Sequence, residues 1–243
     1  MFPPPSPYLA RMKRRPLIAV LAALPLPALA QQSRSLPGRP PPPAGAAQAP
    51  AQRAAEPAVL TEQDRADLAR IETYLDGVRT LTARFVQMDA RGGTAEGTLW
   101  LQRPGRMRFE YDPPAQILLV ADGTFVIFHD KSVRQTSHIP IGATPLSVLL
   151  AERIRLTGGD VVPTRIERTP GVIQVTLVRA GRSGEGSLTL TFNDPPLALR
   201  QWTVVDAQAQ AVRVSLFNAE TGGRFDPALF RFVDPQFFEP RRD

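Results

Sequence analysis

The feature that most constrains this chain is a change of hydrophobic period near Thr80. Before it, Leu68, Ile71, Leu75 and Val78 recur at the spacing of one helix face, and Thr61 with Asp64 approximates a capping box. After it, apolar and polar residues alternate in short runs, the pattern of half-buried strands. Strands are predicted at 80–89, 96–103, 106–111, 115–121, 124–129, 132–138, 161–168, 171–180, 186–193, 198–206 and 210–219. The runs are separated by "RGG", "RPG", "DPP", "DG", "HD", "TPG", "GRSGEG" and a second "DPP", all turn chemistry. Helical signal returns at 144–153, "TPLSVLLAER", with Thr144 as the expected N-cap and Pro145 at the first helical position. "DPALF" at 226–230 reads as a single turn. A helix, many strands, a short helix and more strands make a single α+β domain dominated by a long antiparallel sheet.

A sheet of about 11 strands cannot stay flat and open; it curls or closes. The two predicted helices cannot cover both of its faces. Either the sheet closes around a packed core, or it forms a concave shell whose apolar inside is capped by the helices, leaving a ligand cavity.

One strand pair poses a specific problem. In "LWLQRPGRMRFEY" (99–111), alternation puts Leu99, Leu101, Arg103, Gly105, Met107, Phe109 and Tyr111 on one face. The other face carries Trp100, Gln102, Pro104, Arg106, Arg108 and Glu110 and is mostly wet. Arg103 thus falls on the apolar face, unless a bulge at Pro104 flips the alternation and sends it to solvent.

Charge and compartment follow from the N-terminus. Four of the 29 basic residues, Arg11, Lys13, Arg14 and Arg15, lie in the first 30 positions, which hold no acids. The other 25 are dispersed and face 23 acids, so the concentrated positive surface that nucleic acid requires is missing. "MKRRPLIAVLAALPLPALAQQ" (12–32) has a basic start, a short apolar stretch broken by Pro25 and Pro27, and an Ala28-Leu29-Ala30 cleavage signal. Residues 1–30 are therefore expected to be a cleaved signal peptide, with Met12 a possible true start. Residues 31–57, rich in Pro, Ala and Gln, read as a disordered linker ahead of a domain at 58–243. The chain has no cysteine, hence no disulfide, no thiolate metal site and no lipid-accepting Cys.

Catalytic patterns fail. "GRSGEG" would need a glycine where Glu185 stands to be a nucleophile elbow, and reads as a hairpin tip. His129 and His138 match no zinc spacing and are expected at the surface. No phosphate-cradling glycine loop opens a helix. The expectation is a non-enzyme without metal or cofactor.

Several motifs together carry a resemblance. "GTLWLQRPGRMRFEYDPPAQILLVADGTFVIFHD" (97–130) is followed by "IPIGATPLSVLL" (139–150), preceded by "LTARFVQ" (81–87) and closed by "FDPALFRFVDP" (225–235). The chain resembles the LolA family of periplasmic lipoprotein carriers over nearly all of 58–236. The resemblance implies an incomplete, half-open antiparallel β-barrel with a lid of short helices over an apolar cavity. It also implies a soluble, monomeric periplasmic carrier. Such a carrier takes acylated lipoproteins from an inner-membrane ABC transporter to an acceptor at the outer membrane. In the family the arginine of the R-P motif hydrogen-bonds the lid, a position Arg103 occupies. Leu99, Leu101, Met107 and Phe109, with Leu146, Leu149 and Leu150 of the lid helix, are the expected cavity lining, ordinary core packing being the alternative. Two other functions stay open on sequence: an envelope-stress sensor of the same fold, and a general lipid-binding periplasmic protein. The linker at 31–57 and the short "QFFEPRRD" end (236–243) depart from the family pattern.

Overall fold

The computed structural model describes residues 56–233. The expected signal peptide, most of the expected linker, and residues 234–243 lie outside these. Helix α1 (Glu62–Gly77) starts on the expected capping box: Asp64 N–H donates to Thr61 Oγ1 at 3.2 Å and Thr61 N–H to Asp64 Oδ2 at 2.9 Å. Leu68, Ile71 and Leu75 form its buried stripe, and Val78 ends it as the C-cap, half-buried against the same core. The Thr61 hydrogen bond, then Arg168, hold the Asp64 carboxyl down at about 2.

Eleven strands follow, at the predicted places. They are β1 (Thr80–Met88), β2 (Thr94–Gln102), β3 (Arg106–Tyr111), β4 (Ile117–Asp122), β5 (Phe125–Asp130) and β6 (Gln135–Pro140). After the segment 141–160 come β7 (Val161–Thr169), β8 (Val172–Arg179), β9 (Gly186–Asn193), β10 (Ala198–Asp206) and β11 (Ala211–Thr221). They form one antiparallel sheet in the order β6-β5-β4-β3-β2-β1-β11-β10-β9-β8-β7. Every pair of consecutive strands is hydrogen-bonded except β6 and β7, which are the two edges. First and last strands pair in the middle of the sheet, from Leu81↔Thr221 to Met88↔Arg213. The barrel is therefore incomplete, and its gap falls where the chain crosses from β6 to β7. Residues 141–160, which connect these two edges, form the lid.

Alternation sorts the strands as predicted. Leu99, Leu101, Met107, Phe109, Leu119, Val175, Leu190, Phe192 and Trp202 are buried on the concave face, in one core with the α1 stripe and lid residues Leu146, Val148, Leu149, Leu150, Ile154 and Leu156. Gly97 on β2 is required by close packing: a Cβ there would lie 2.7 Å from the Phe85 ring and against the Glu110 carbonyl.

Two expectations are corrected. The lid helix α2 spans only Ser147–Leu150, preceded by a 3₁₀ turn at Ile141–Ala143, and Leu146 takes the N-cap position. Thr144 does not cap it; its hydroxyl donates back to the Ile141 carbonyl at 2.9 Å. The helix stops at Leu150 because the next carbonyls are claimed by other elements, and Ala151 is already extended. His129 is not at the surface but 4% exposed. It lies on the convex face with Val120 and Ile127, beneath the C-terminal segment. Phe232 meets its ring at 5.2 Å, and Nδ1 is 3.0 Å from Thr136 Oγ1. There the predicted "DPALF" turn, a 3₁₀ helix at Pro227–Phe230 capped by Asp226, buries Phe230, while Arg108 donates to the Leu229 carbonyl at 3.2 Å. The face expected to be mostly wet thus carries a small second core.

Candidate functional site

The concave face and the lid line an apolar cavity of about 140 Å³ that is open on one side. Phe109, Tyr111, Leu119, Trp202, Val214 and lid residue Leu146 form its walls, and Gln87, Glu185, Asp206 and Gln210 its polar rim. Edge-to-face aromatic contacts build one wall. Phe85 meets Phe109 at 4.9 Å and Tyr111 at 5.0 Å, and Phe109 meets Trp202 at 6.1 Å. The Tyr111 hydroxyl donates to Gln87 Oε1 at 2.7 Å. Burial pushes its pKa far above the ordinary tyrosine value, so it stays a neutral donor in the cavity wall.

Of the sequence-predicted lining, Phe109 and Leu146 reach the cavity. Leu99, Leu101, Met107, Leu149 and Leu150 sit in the continuous core beside it, each 7% exposed or less. Sequence reasoning missed Trp202, Val204, Val212 and Val214, which alternation on β10 and β11 places on the concave face.

Arg103 is buried, with only 2% of its side chain exposed. The chain supplies an acceptor for each of its five guanidinium N–H groups. Nε donates to Ala151 O at 2.8 Å, and Nη2 to Glu152 O and Asp76 Oδ1, both at 3.0 Å. Nη1 donates to Leu75 O and, at 3.4 Å, to Val78 O. One side chain at the end of β2 thus ties the C-terminal carbonyls of α1 to the stretch that leaves the lid helix.

Other bonds extend this seam. Gly105 N–H donates to Leu150 O at 2.8 Å and Arg79 Nη1 to Glu152 O at 3.1 Å. In the opposite direction Ile154 N–H donates to Asp76 Oδ1 at 2.9 Å and Leu156 N–H to Glu72 Oε1 at 2.6 Å. Burial raises the Asp76 carboxyl, but the Ile154 N–H and Arg103 outweigh it and hold it below the ordinary carboxylate value. The lid is therefore latched along 150–156 to α1 and to the β2–β3 turn. At its other end, Ile141 N–H donates to Thr124 O at 3.0 Å.

Among the described residues no helix is long and apolar enough to cross a membrane. Residues 76–233 match the family model of the outer membrane lipoprotein carrier protein LolA. An outer-membrane lipoprotein carrier protein from Pseudomonas syringae pv. syringae is 37% identical over 183 residues, covering 71% of this chain and 86% of that protein. One from Methylococcus capsulatus is 28% identical over 176 residues, covering 69% of this chain and 83% of that protein. A crystal structure of a LolA superfamily protein from Nitrosomonas europaea aligns with 68% of this chain and 97% of its own, at a TM-score of 0.41 and 11% identity.

Proposed function

Because the chain belongs to the LolA family of outer membrane lipoprotein carrier proteins, we propose that it works in the periplasm, sheltering the acyl chains of lipoproteins between two membranes. It takes them from an inner-membrane ABC transporter, without catalysing a reaction, and yields them to an acceptor at the outer membrane. The observation that carries this reading is a fully satisfied guanidinium, Arg103, set in an apolar interior and bonded to the lid.

The energetics explain why a carrier would hold a charge there. Burying acyl chains contributes about 0.8 kcal/mol per CH₂. Two or three long chains would pass the practical ceiling of roughly −20 kcal/mol for noncovalent affinity, and such a carrier would never let go. A cavity of about 140 Å³ is of the size that holds a benzene ring, about 150 Å³. Long chains enter only if the lid moves. Moving it withdraws Ala151 O and Glu152 O from Arg103, which keeps its α1 partners, and two lost hydrogen bonds to a charged group cost together about 3–6 kcal/mol. That offsets the burial of about four to seven methylenes. The latch lowers affinity into a range where cargo can be passed on, and it drives closure once cargo leaves.

Purification of the protein from the periplasm, with mass spectrometry of what accompanies it, tests the reading. Acylated lipoproteins are the expected companions. A membrane-bound regulator without acylated cargo would replace the carrier by a sensor, and turnover of an added lipid would replace it by an enzyme.

A further inference from the structure

Three hollows run along one flank of the lid. The apolar cavity shares Ala143, Pro145 and Glu185 with a groove of about 410 Å³. That groove shares Ser147, Val148, Val161, Arg179 and Arg182 with a third hollow of about 630 Å³. The character of the walls changes along the series, and the third is dominated by four arginines, Arg153, Arg155, Arg179 and Arg182, against the single acid Asp160.

The chain builds this cluster by alternation. Ile154 and Leu156 are 1% and 0% exposed, so Arg153 and Arg155 both turn outward. Neither pairs with an acid among the described residues. Arg179 and Arg182 share one carboxylate, Glu185, at 3.3 and 3.6 Å. Elsewhere Arg70, Arg84, Arg165 and Arg168 each bond a carboxylate of their own surroundings. Four guanidinium groups around a concavity, with only Asp160 and Glu185 to balance them, leave a focused positive potential. The planar guanidinium fork matches the oxygens of a phosphate.

An apolar cavity that opens sideways into such a groove has the layout of a site for an amphiphile. We propose that the arginine groove binds the phosphate of an anionic two-chain lipid whose acyl chains occupy the cavity once the lid moves aside. The protein then carries phospholipid-like molecules as well as acylated protein. This inference rests on the carrier reading, since it uses the same cavity for the chains.

The test is titration calorimetry of the full chain with three soluble probes: dioctanoyl phosphatidic acid, dioctanoylglycerol and inorganic phosphate, the lipids kept below micellar concentrations. The acid is expected to bind at least about tenfold tighter than the uncharged diacylglycerol. The double variant Arg153→Gln/Arg155→Gln should lose that preference while binding diacylglycerol like the wild type, which also shows that it is folded. Equal affinity for the two lipids, or a preference that survives in the double variant, overturns the inference. So does inorganic phosphate that binds as tightly as the lipid, which would make the groove a free-anion site. A lipoprotein-derived triacylated peptide separates the two levels. If it binds while the headgroup preference is missing, the carrier reading stands and only the phosphate subsite falls. If neither the peptide nor diacylglycerol binds, the carrier reading falls with it.

Discussion

At Arg103, charge and hydrogen-bond geometry act together. Lysine would keep the charge but has three donors and no planar fork, so it cannot reach the carbonyls of α1 and of the lid stretch at once. We expect Arg103→Leu to bind acylated cargo and release it poorly to acceptor membranes, with Arg103→Lys between it and the wild type. A transfer assay in which Arg103→Leu releases cargo at the wild-type rate would refute the latch. Gly97 tests a different kind of constraint, because its missing Cβ is what lets the Phe85 ring lie on β2 and form the aromatic wall. Gly97→Ala should displace that ring and cost about 1–3 kcal/mol, as overpacking in a tight core does. Thermal melting reads that loss, and an unchanged midpoint would mean that both the Phe85 ring and the β3 backbone at Glu110 can give way.

Among the elements, α1 is more than a cover. Its buried stripe holds the core, and from its flank Glu72 and Asp76 accept the lid's N–H groups. The Asp76 carboxyl lies below its ordinary value in the fold, so its contribution is present above the unfolded value of about 3.9 and fades as pH falls through the folded one. Asp76→Asn should flatten the acid side of the melting-temperature curve, because its Oδ1 can still accept from Ile154. Parallel wild-type and variant curves below pH 5 would remove Asp76 from the latch. Strands and α1 were legible in the sequence because each is written locally, as an alternation or a stripe with its cap. The lid helix was legible as a helix but its bounds were not, since its end is set by Gly105, Arg103 and Arg79, far away in the chain. Buried His129 was equally hidden, because what covers it is a C-terminal segment about a hundred residues further on. At the site, alternation singled out Arg103 as a charge on an apolar face. Its acceptors, mostly backbone carbonyls, carry no sequence signature.

For the whole molecule, stability should be graded from the centre of the sheet to its edges. β1 and β11 have neighbours on both sides and join the two ends of the domain, whereas β6 and β7 each have one neighbour. We expect native-state hydrogen exchange to be slowest in β1, β2 and β11 and fastest in β6 and the 141–148 end of the lid. Slow exchange throughout β6 in the free protein would mean that this edge is covered. The gap between β6 and β7 has a mechanical consequence as well. A closed barrel is a hoop whose girth is set by its strand number and stagger. A slit hoop changes its radius by flexing alone, and here no ladder of strand bonds closes β6 onto β7. A wall of this kind is free to widen and narrow without breaking one inter-strand hydrogen bond, as a spring clip does around shafts of different bore.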